Sequence, residues 1–309
     1  MKIGIDLGGS HVAIGLIDDH YEIIEKRTFY MNENNGKAIQ EYIVTSIVHG
    51  INEILKSTNK KLSDIELIGI ASPGNPKEGH IKNVVNLKID DFDIVHRIQE
   101  SFGIQNFNVK VLLKNDGKCA ALAEKNFGSL KEYDDCIFLC IGTGIGGAAF
   151  IDGKFLKPKR NEGFEFGHMV IQKDGLKCGC GNNGCFEAYC SKKKFKEKMQ
   201  ETLGIKGYID AKGLMVQINE HIEDVEVNQL LNDYIEDMAI GISNIINIFE
   251  PEAICIGGSM SHYESLIFDK LQDRIYNGKY LFNKVNPPKI LAAKIGNDAG
   301  ILGATLIEE

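Results

Sequence analysis

Three cysteines and a histidine stand close together in the middle of this 309-residue chain, in the run Cys178-Gly-Cys180-Gly-Asn-Asn-Gly-Cys185 preceded by His168. Thiolate and imidazole donors at this spacing are the set that a closed, tetrahedral Zn²⁺ site takes, and a closed site is structural. The glycines between them let the backbone turn tightly enough for the thiolates to converge on one ion. Neighbouring Cys-x-Cys thiols rarely meet disulfide geometry, and nothing in the sequence points to an oxidising compartment. Cys190 is near enough to compete with His168 as the fourth ligand. Two carboxylates, Glu165 and Glu187, flank the run, so the stapled loop is expected to orient carboxylates and an imidazole toward a small polar ligand. Cys119, Cys136, Cys140 and Cys255 lie in apolar runs and read as small core residues.

Two glycine segments carry the second kind of chemistry, Asp6-Leu-Gly8-Gly9-Ser10 and Gly142-Thr143-Gly144-Ile-Gly146-Gly147. Consecutive backbone N–H groups in such segments can cradle phosphate oxygens, and Ser10 and Thr143 add hydroxyl donors. Each segment leads into a strand, whereas a Walker loop or a dinucleotide fingerprint leads into a helix, so those two schemes are disfavoured. Asn115-Asp116 opens a helical stretch at 117–126, where either residue could cap the helix.

The elements that must position these groups follow from periodicity. Strands are predicted at 2–7, 12–17 and 22–30, a helix at 37–57, a strand at 66–71, a Pro/Gly loop at 72–79, a helix near 91–102 and a strand at 108–113. After 117–126 comes a strand at 135–141, the glycine loop 142–147 and a strand at 148–151. The second half begins as the first did, with strand, glycine loop, strand, ending in Gly-Leu-Ile-Asp18 and Ala-Phe-Ile-Asp152, which suggests two duplicated sub-domains facing one another. At 43% hydrophobic and 25% charged residues the chain can bury ample core, and two domains are expected, 1–115 and 116–309, with a last helix near 298–307 packing back on the first. A net charge of −8 argues against a nucleic-acid surface, and the basic run Lys192-Lys193-Lys194 reads as the solvated start of an exposed helix. The apolar start is too short for a signal peptide and no run reaches membrane-spanning length, so a reduced, cytoplasmic protein is expected.

Over essentially its whole length the sequence resembles the ROK family (repressors, open reading frames, kinases), within the superfamily that shares its fold with actin and hexokinase. The most specific match is Cys178-Gly-Cys-Gly-Asn-Asn-Gly-Cys-Phe-Glu187 with Glu165-x-x-His168; Asp6-Leu-Gly-Gly-Ser10, Asn115-Asp116, Gly142-Thr-Gly-Ile-Gly-Gly147 and Ile256-Gly257-Gly258-Ser259 also match. The resemblance implies an α/β, two-domain actin-like ATPase (ribonuclease H-like) fold with an interdomain cleft, and ATP-dependent phosphorylation of a hexose at its 6-hydroxyl. Glucose is the first choice of acceptor, with N-acetylmannosamine, N-acetylglucosamine, fructose or allose as alternatives. Mg²⁺, a structural Zn²⁺ and a homodimer are implied as well.

By the same resemblance Asp116 is the general base, and Asn86, Asn115, Glu165, His168 and Glu187 bind sugar hydroxyls, His168 also serving zinc. Asp6 positions Mg²⁺ or its waters. Gly8, Gly9, Ser10, Gly142, Thr143 and Gly144 cradle phosphates, while Gly257 and Gly258 lie near the adenosine. Three departures bear on the substrate: Ser10-His11 stand where the family commonly has Thr-Lys, Gly163-Phe164 where it has Ala-Gly, and Val85-Asn86-Leu87 where glucose-specific members have Pro-Asn-Leu. A transcriptional repressor and a non-catalytic sugar-responsive regulator are the competing readings. Repressors of the family carry an added helix-turn-helix, and with a first strand starting at residue 2 none is expected here.

Overall fold

The structure, a computed structural model, describes residues 1–31, 37–84, 87–103, 109–159 and 163–308. By its internal contacts the chain divides into two compact units, Met1–Ala123 with Asn297–Glu309, and Glu124–Gly296.

In the first unit, strands β1 (Lys2–Leu7), β2 (His11–Ile17) and β3 (Ile23–Tyr30) form an antiparallel meander. Helix α1 (Lys37–Ser57) follows, then strands β4 (Leu67–Ser72), β5 (Asn75–Lys77), β6 (His80–Val84) and β7 (Ile89–Asp93), helix α2 (Ile94–Phe102), strand β8 (Lys110–Asn115) and helix α3 (Asp116–Phe127). The main sheet has the order β3-β2-β1-β4-β8, with β1, β4 and β8 parallel, while β5-β6-β7 make a small antiparallel sheet. β4 is buried throughout, as a continuous apolar run in a parallel sheet must be, whereas edge strand β3 alternates half-buried and exposed residues. Helix α1 lays Ile39, Ile43, Ile47, Ile51 and Ile54, one or nearly one turn apart, into the core of this sheet.

The second unit repeats the pattern. Strands β9 (Cys136–Ile141), β10 (Ile145–Ile151) and β11 (Lys154–Phe155) are antiparallel, and β12 (Ala253–Gly257) and β13 (Lys289–Ala292) add parallel strands, giving the order β11-β10-β9-β12-β13. Between β11 and β12 run helices α4 (Phe186–Cys190), α5 (Lys192–Thr202), α6 (Ala211–Glu220) and α7 (Val225–Phe249), and α8 (Glu264–Tyr276) precedes β13. Leu231, Ile235, Met238, Ile242 and Ile245 of α7 form the buried stripe against this sheet. The five-stranded sheets therefore share one topology, as the sequence repeat suggests.

The last helix, α9 (Ala299–Ala304), packs on β1 and β4 of the first unit. A Cβ on Gly4 or Gly69 would lie 2.0 Å or 1.8 Å from an α9 carbonyl oxygen, so glycine in each strand is what allows the helix backbone to lie directly on the sheet.

Several boundaries differ from the sequence expectation. The division between units falls inside α3, not at its start at 115/116. Residues 91–93 belong to β7, paired with β6, and α2 starts at Ile94, where Asp93 accepts the His96 N–H at 3.2 Å. The glycine loop is shorter than 142–147, because Gly146 and Gly147 pair with Cys140 and Leu139 within the β9–β10 ladder, just after its first pair, Ile145 with Ile141. Cys140, expected in the core, is half-buried at the end of β9. No helix among the described residues is long and apolar enough to cross a membrane.

Candidate active site and metal centre

The candidate residues gather at the carboxyl ends of parallel strands, the usual place for ligands in α/β sheets. In the first unit Asp6 closes β1 and Asn115 closes β8; in the second, Gly142 follows β9 and Gly257 ends β12.

Asn115 and Asp116 sit where β8 passes into α3. The Asn115 carboxamide oxygen accepts the Lys118 N–H at 3.2 Å, capping the helix, and its amide group donates to the Gly74 carbonyl at 3.3 Å. Burial pushes the Asp116 carboxyl up to about 6; the Gly117 N–H, donating to Oδ1 at 2.8 Å, opposes the rise and the nearby Asp6 charge adds to it. Asp6 is likewise raised to about 6 by burial, with Lys26 opposing and Asp298 reinforcing. Lys26 is ion-paired with Asp298, and the Asp6 and Asp116 carboxylates, close enough to feel one another, are oxygen donors of the kind a divalent cation takes.

The first glycine turn is closed by the Gly8 N–H donating to the His11 carbonyl at 2.9 Å, and it leaves Gly9 and Ser10 exposed, with nothing within 4 Å of the Cβ position of Gly9. The Ser10 hydroxyl lies 3.3 Å from His11 Nδ1. In the second turn the Gly142 N–H donates to the Gly144 carbonyl at 2.9 Å and Thr143 is exposed. Gly258 has φ +71°, and its Cβ position is 2.8 Å from the Ile141 carbonyl oxygen, so only glycine fits beside the end of β9. Asn86 lies outside the described residues.

The metal-ligating candidates converge. The donor atoms of His168, Cys178, Cys180 and Cys185 all lie within 4.8 Å of one another, with Cys180 and Cys185 Sγ 3.7 Å apart and Cys178 Sγ 3.8 Å from His168 Nδ1. Tetrahedral zinc–thiolate bonds of about 2.3 Å set sulfurs about 3.8 Å apart, so three thiols and one imidazole in this arrangement fit Zn²⁺. Cys190 stands outside this group, fully buried in the second-unit core. The loop is held by backbone pairs such as Cys178 N–H to the Asn182 carbonyl at 2.8 Å, and by the Leu176 N–H donating to the Tyr189 hydroxyl at 2.7 Å.

Glu187, in the first turn of α4, links this loop to the second glycine turn. Its Oε2 accepts the Ile145 N–H at 2.8 Å, and its Oε1 lies 3.8 Å from Cys178 Sγ. A Cβ on Gly144 would come within 2.4 Å of Oε2, so glycine there makes room for the carboxylate. Sequence spacing places Glu187 beside the cysteines; its bond to the amide that opens β10 depends on folding and has no local signal. Glu165 is exposed and starts the short 3₁₀ turn Phe166–His168, in which the His168 N–H donates to the Glu165 carbonyl at 3.0 Å.

Duplicated β-sheets with glycine turns at the strand ends and an Asp opening the helix after the last parallel strand are the mark of the actin-like ATPase class. The crystal structure of a ROK hexokinase from Thermus thermophilus superimposes with a TM-score of 0.80 at 25% identity, over 99% of this chain and 96% of that one. The chain belongs to the ROK family, whose family model matches residues 2–309. Among curated relatives it is similar to the glucokinase of Thermotoga maritima, 29% identical over 99% of this chain and 96% of that protein, and to the xylose repressor of Bacillus subtilis, 28% identical over 99% of this chain and 76% of the repressor.

Proposed function

We propose that the protein is an ATP-dependent sugar kinase that phosphorylates an unphosphorylated hexose, glucose foremost, at the 6-hydroxyl. The observation that carries this reading is Asp116: a half-buried carboxylate opening α3 at the end of β8, oriented by the Gly117 N–H at 2.8 Å and pushed up to about 6 by burial, is placed to take a proton. A sugar hydroxyl is far too weak an acid to lose its proton unaided, so Asp116 accepts it at the oxygen that attacks the γ-phosphoryl group. Glu165, His168, Glu187, Asn115 and Asn86 take the remaining hydroxyls, and an epimer that misplaces one leaves a partner unpaired. Anionic sugars are disfavoured because Glu165, Glu187 and Asp116 repel them together.

Gly8, Gly9, Ser10, Gly142, Thr143 and Gly144 receive the phosphates, with Gly257 and Gly258 beside the adenosine. Asp6 would hold Mg²⁺ or its waters, and the ion supplies charge neutralisation on the phosphoryl oxygens. Zn²⁺ on His168, Cys178, Cys180 and Cys185 would fix the loop that carries Glu187. A homodimer acting in the cytoplasm is the setting we infer.

The relation to the xylose repressor favours a second reading, a sugar-responsive regulator without catalysis. A coupled ADP-release assay over glucose, mannose, fructose, allose, N-acetylglucosamine and N-acetylmannosamine tests both. Sugar-dependent turnover is expected, greatest with glucose. Another hexose ahead of glucose by more than about 100-fold in kcat/KM, about 2.7 kcal/mol of transition-state binding, replaces the sugar and keeps the kinase; tight sugar binding with no turnover turns the assignment to the regulator.

A further inference from the structure

Phe164 has a backbone φ of +64°, and among the described residues only Tyr21 is another aromatic in this left-handed region. A residue with a Cβ is strained there, and such strain persists only where the surroundings over-determine it. What over-determines it here is a group of three rings. Phe164 packs at a tilt on Phe166 and on Phe249, each at 6.2 Å between centroids and at 44° and 54°, and Phe166 meets Phe249 edge-on at 5.8 Å and 86°. Phe249 is the last residue of α7, and buried Phe166 presses the ring edge against β10, where a Cβ on Gly147 would lie 2.6 Å from it. The residue held between Phe164 and Phe166 is Glu165, itself exposed.

We propose that Phe164 is a positioning residue for acceptor recognition: the clamp of Phe164, Phe166 and Phe249 fixes the backbone on both sides of Glu165 and so aims its carboxylate at a sugar hydroxyl. The proposal rests on the sugar-kinase reading, in which Glu165 binds the acceptor. Rings on two different elements, α7 and the segment before the metal loop, make the aim independent of any single loop conformation. Fixing a polar group before the ligand arrives lowers the ordering cost of binding, so the effect falls on acceptor affinity.

The test is steady-state kinetics with calorimetric sugar titration on the full chain. Phe164→Ala, which keeps the strained backbone and removes the ring, should raise acceptor KM and Kd about tenfold, with kcat and the KM for ATP within about threefold of wild type. Phe164→Tyr should restore both, and Phe249→Leu, which loosens the clamp from the α7 side, should give the same selective loss. Phe164→Gly should melt no lower than Phe164→Ala, because the strain is gone, yet bind sugar no better. Acceptor KM within twofold of wild type in Phe164→Ala, or in Phe249→Leu should the former not fold, overturns the clamp while leaving the kinase reading in place. Wild-type protein that binds no sugar overturns both.

Discussion

As the proposed base Asp116 must be ionised to act, yet its surroundings resist ionisation. With the folded carboxyl at about 6, raised first by burial, kcat/KM should fall as pH drops below about 6, and Asp6, raised similarly and close enough to interact, shares in that limb. Asp116→Asn should cost about 10²–10⁴-fold in turnover and leave sugar affinity largely intact, since the amide still hydrogen-bonds a hydroxyl. The same shift acts on stability with a definite sign. A folded pKa near 6 against an unfolded 3.8 contributes stability that is present below 3.8 and lost as pH rises through 6, so at pH 7 the ionised carboxylate costs ~2–3 kcal/mol. Asp116→Asn should therefore melt several degrees higher than wild type at pH 7, and no higher at pH 4. Unaltered turnover would reassign the base, and a lower melting point at pH 7 would contradict the burial argument.

At the scale of elements, the metal loop and α4 act as one piece. Cys185 precedes α4, Glu187 lies in its first turn, and Tyr189 returns to the loop by accepting the Leu176 N–H. Through the Ile145 N–H the same carboxylate reaches the second glycine turn, so loosening the loop should disturb both the proposed sugar site and the proposed nucleotide site. Purified protein is expected to contain about one Zn²⁺ per chain by elemental analysis, and Cys180→Ser, at the exposed corner of the cluster, should lower metal content and sugar affinity together. Metal-free wild type with full sugar affinity would remove zinc from this account. Elements also show why some boundaries resisted sequence reading. The stretch 91–102 has helical periodicity from its start, but pairing with β6 takes its first residues into a strand.

At the scale of the whole molecule, the chain ends where it began. α9 supplies fully buried Ile301 to the first unit, near-buried Leu302 and Ala299, and Ile307 just beyond, all on a sheet built from the first part of the sequence. In the second unit the buried Glu124 carboxylate fastens the approach to this return by accepting the Lys294 and Ile295 N–H groups at 2.8 Å each. Deleting residues 297–309 uncovers β1 and β4 and removes several apolar side chains worth ~1.5–3 kcal/mol apiece. The truncated chain should lose a cooperative thermal transition or melt more than about 10 °C lower by circular dichroism, and an unchanged transition would show that α9 is dispensable.

Cysteine and histidine spacing, glycine position and apolar periodicity by themselves picked out the candidate metal cluster with Cys190 still competing in it, the α/β class, the duplicated strand–turn–strand pattern and the family, because each is a local property of types and intervals. Cys190 could be separated from the metal ligands only by folding, since sequence distance cannot tell a thiol facing a loop from one buried in a core. The shared Glu187 carboxylate, the left-handed Phe164 with its ring clamp and the raised Asp116 carboxyl belong to tertiary structure alone. Each arises from groups brought together across tens of residues, where burial, backbone strain and long-range hydrogen bonding are settled by packing and leave no pattern along the chain.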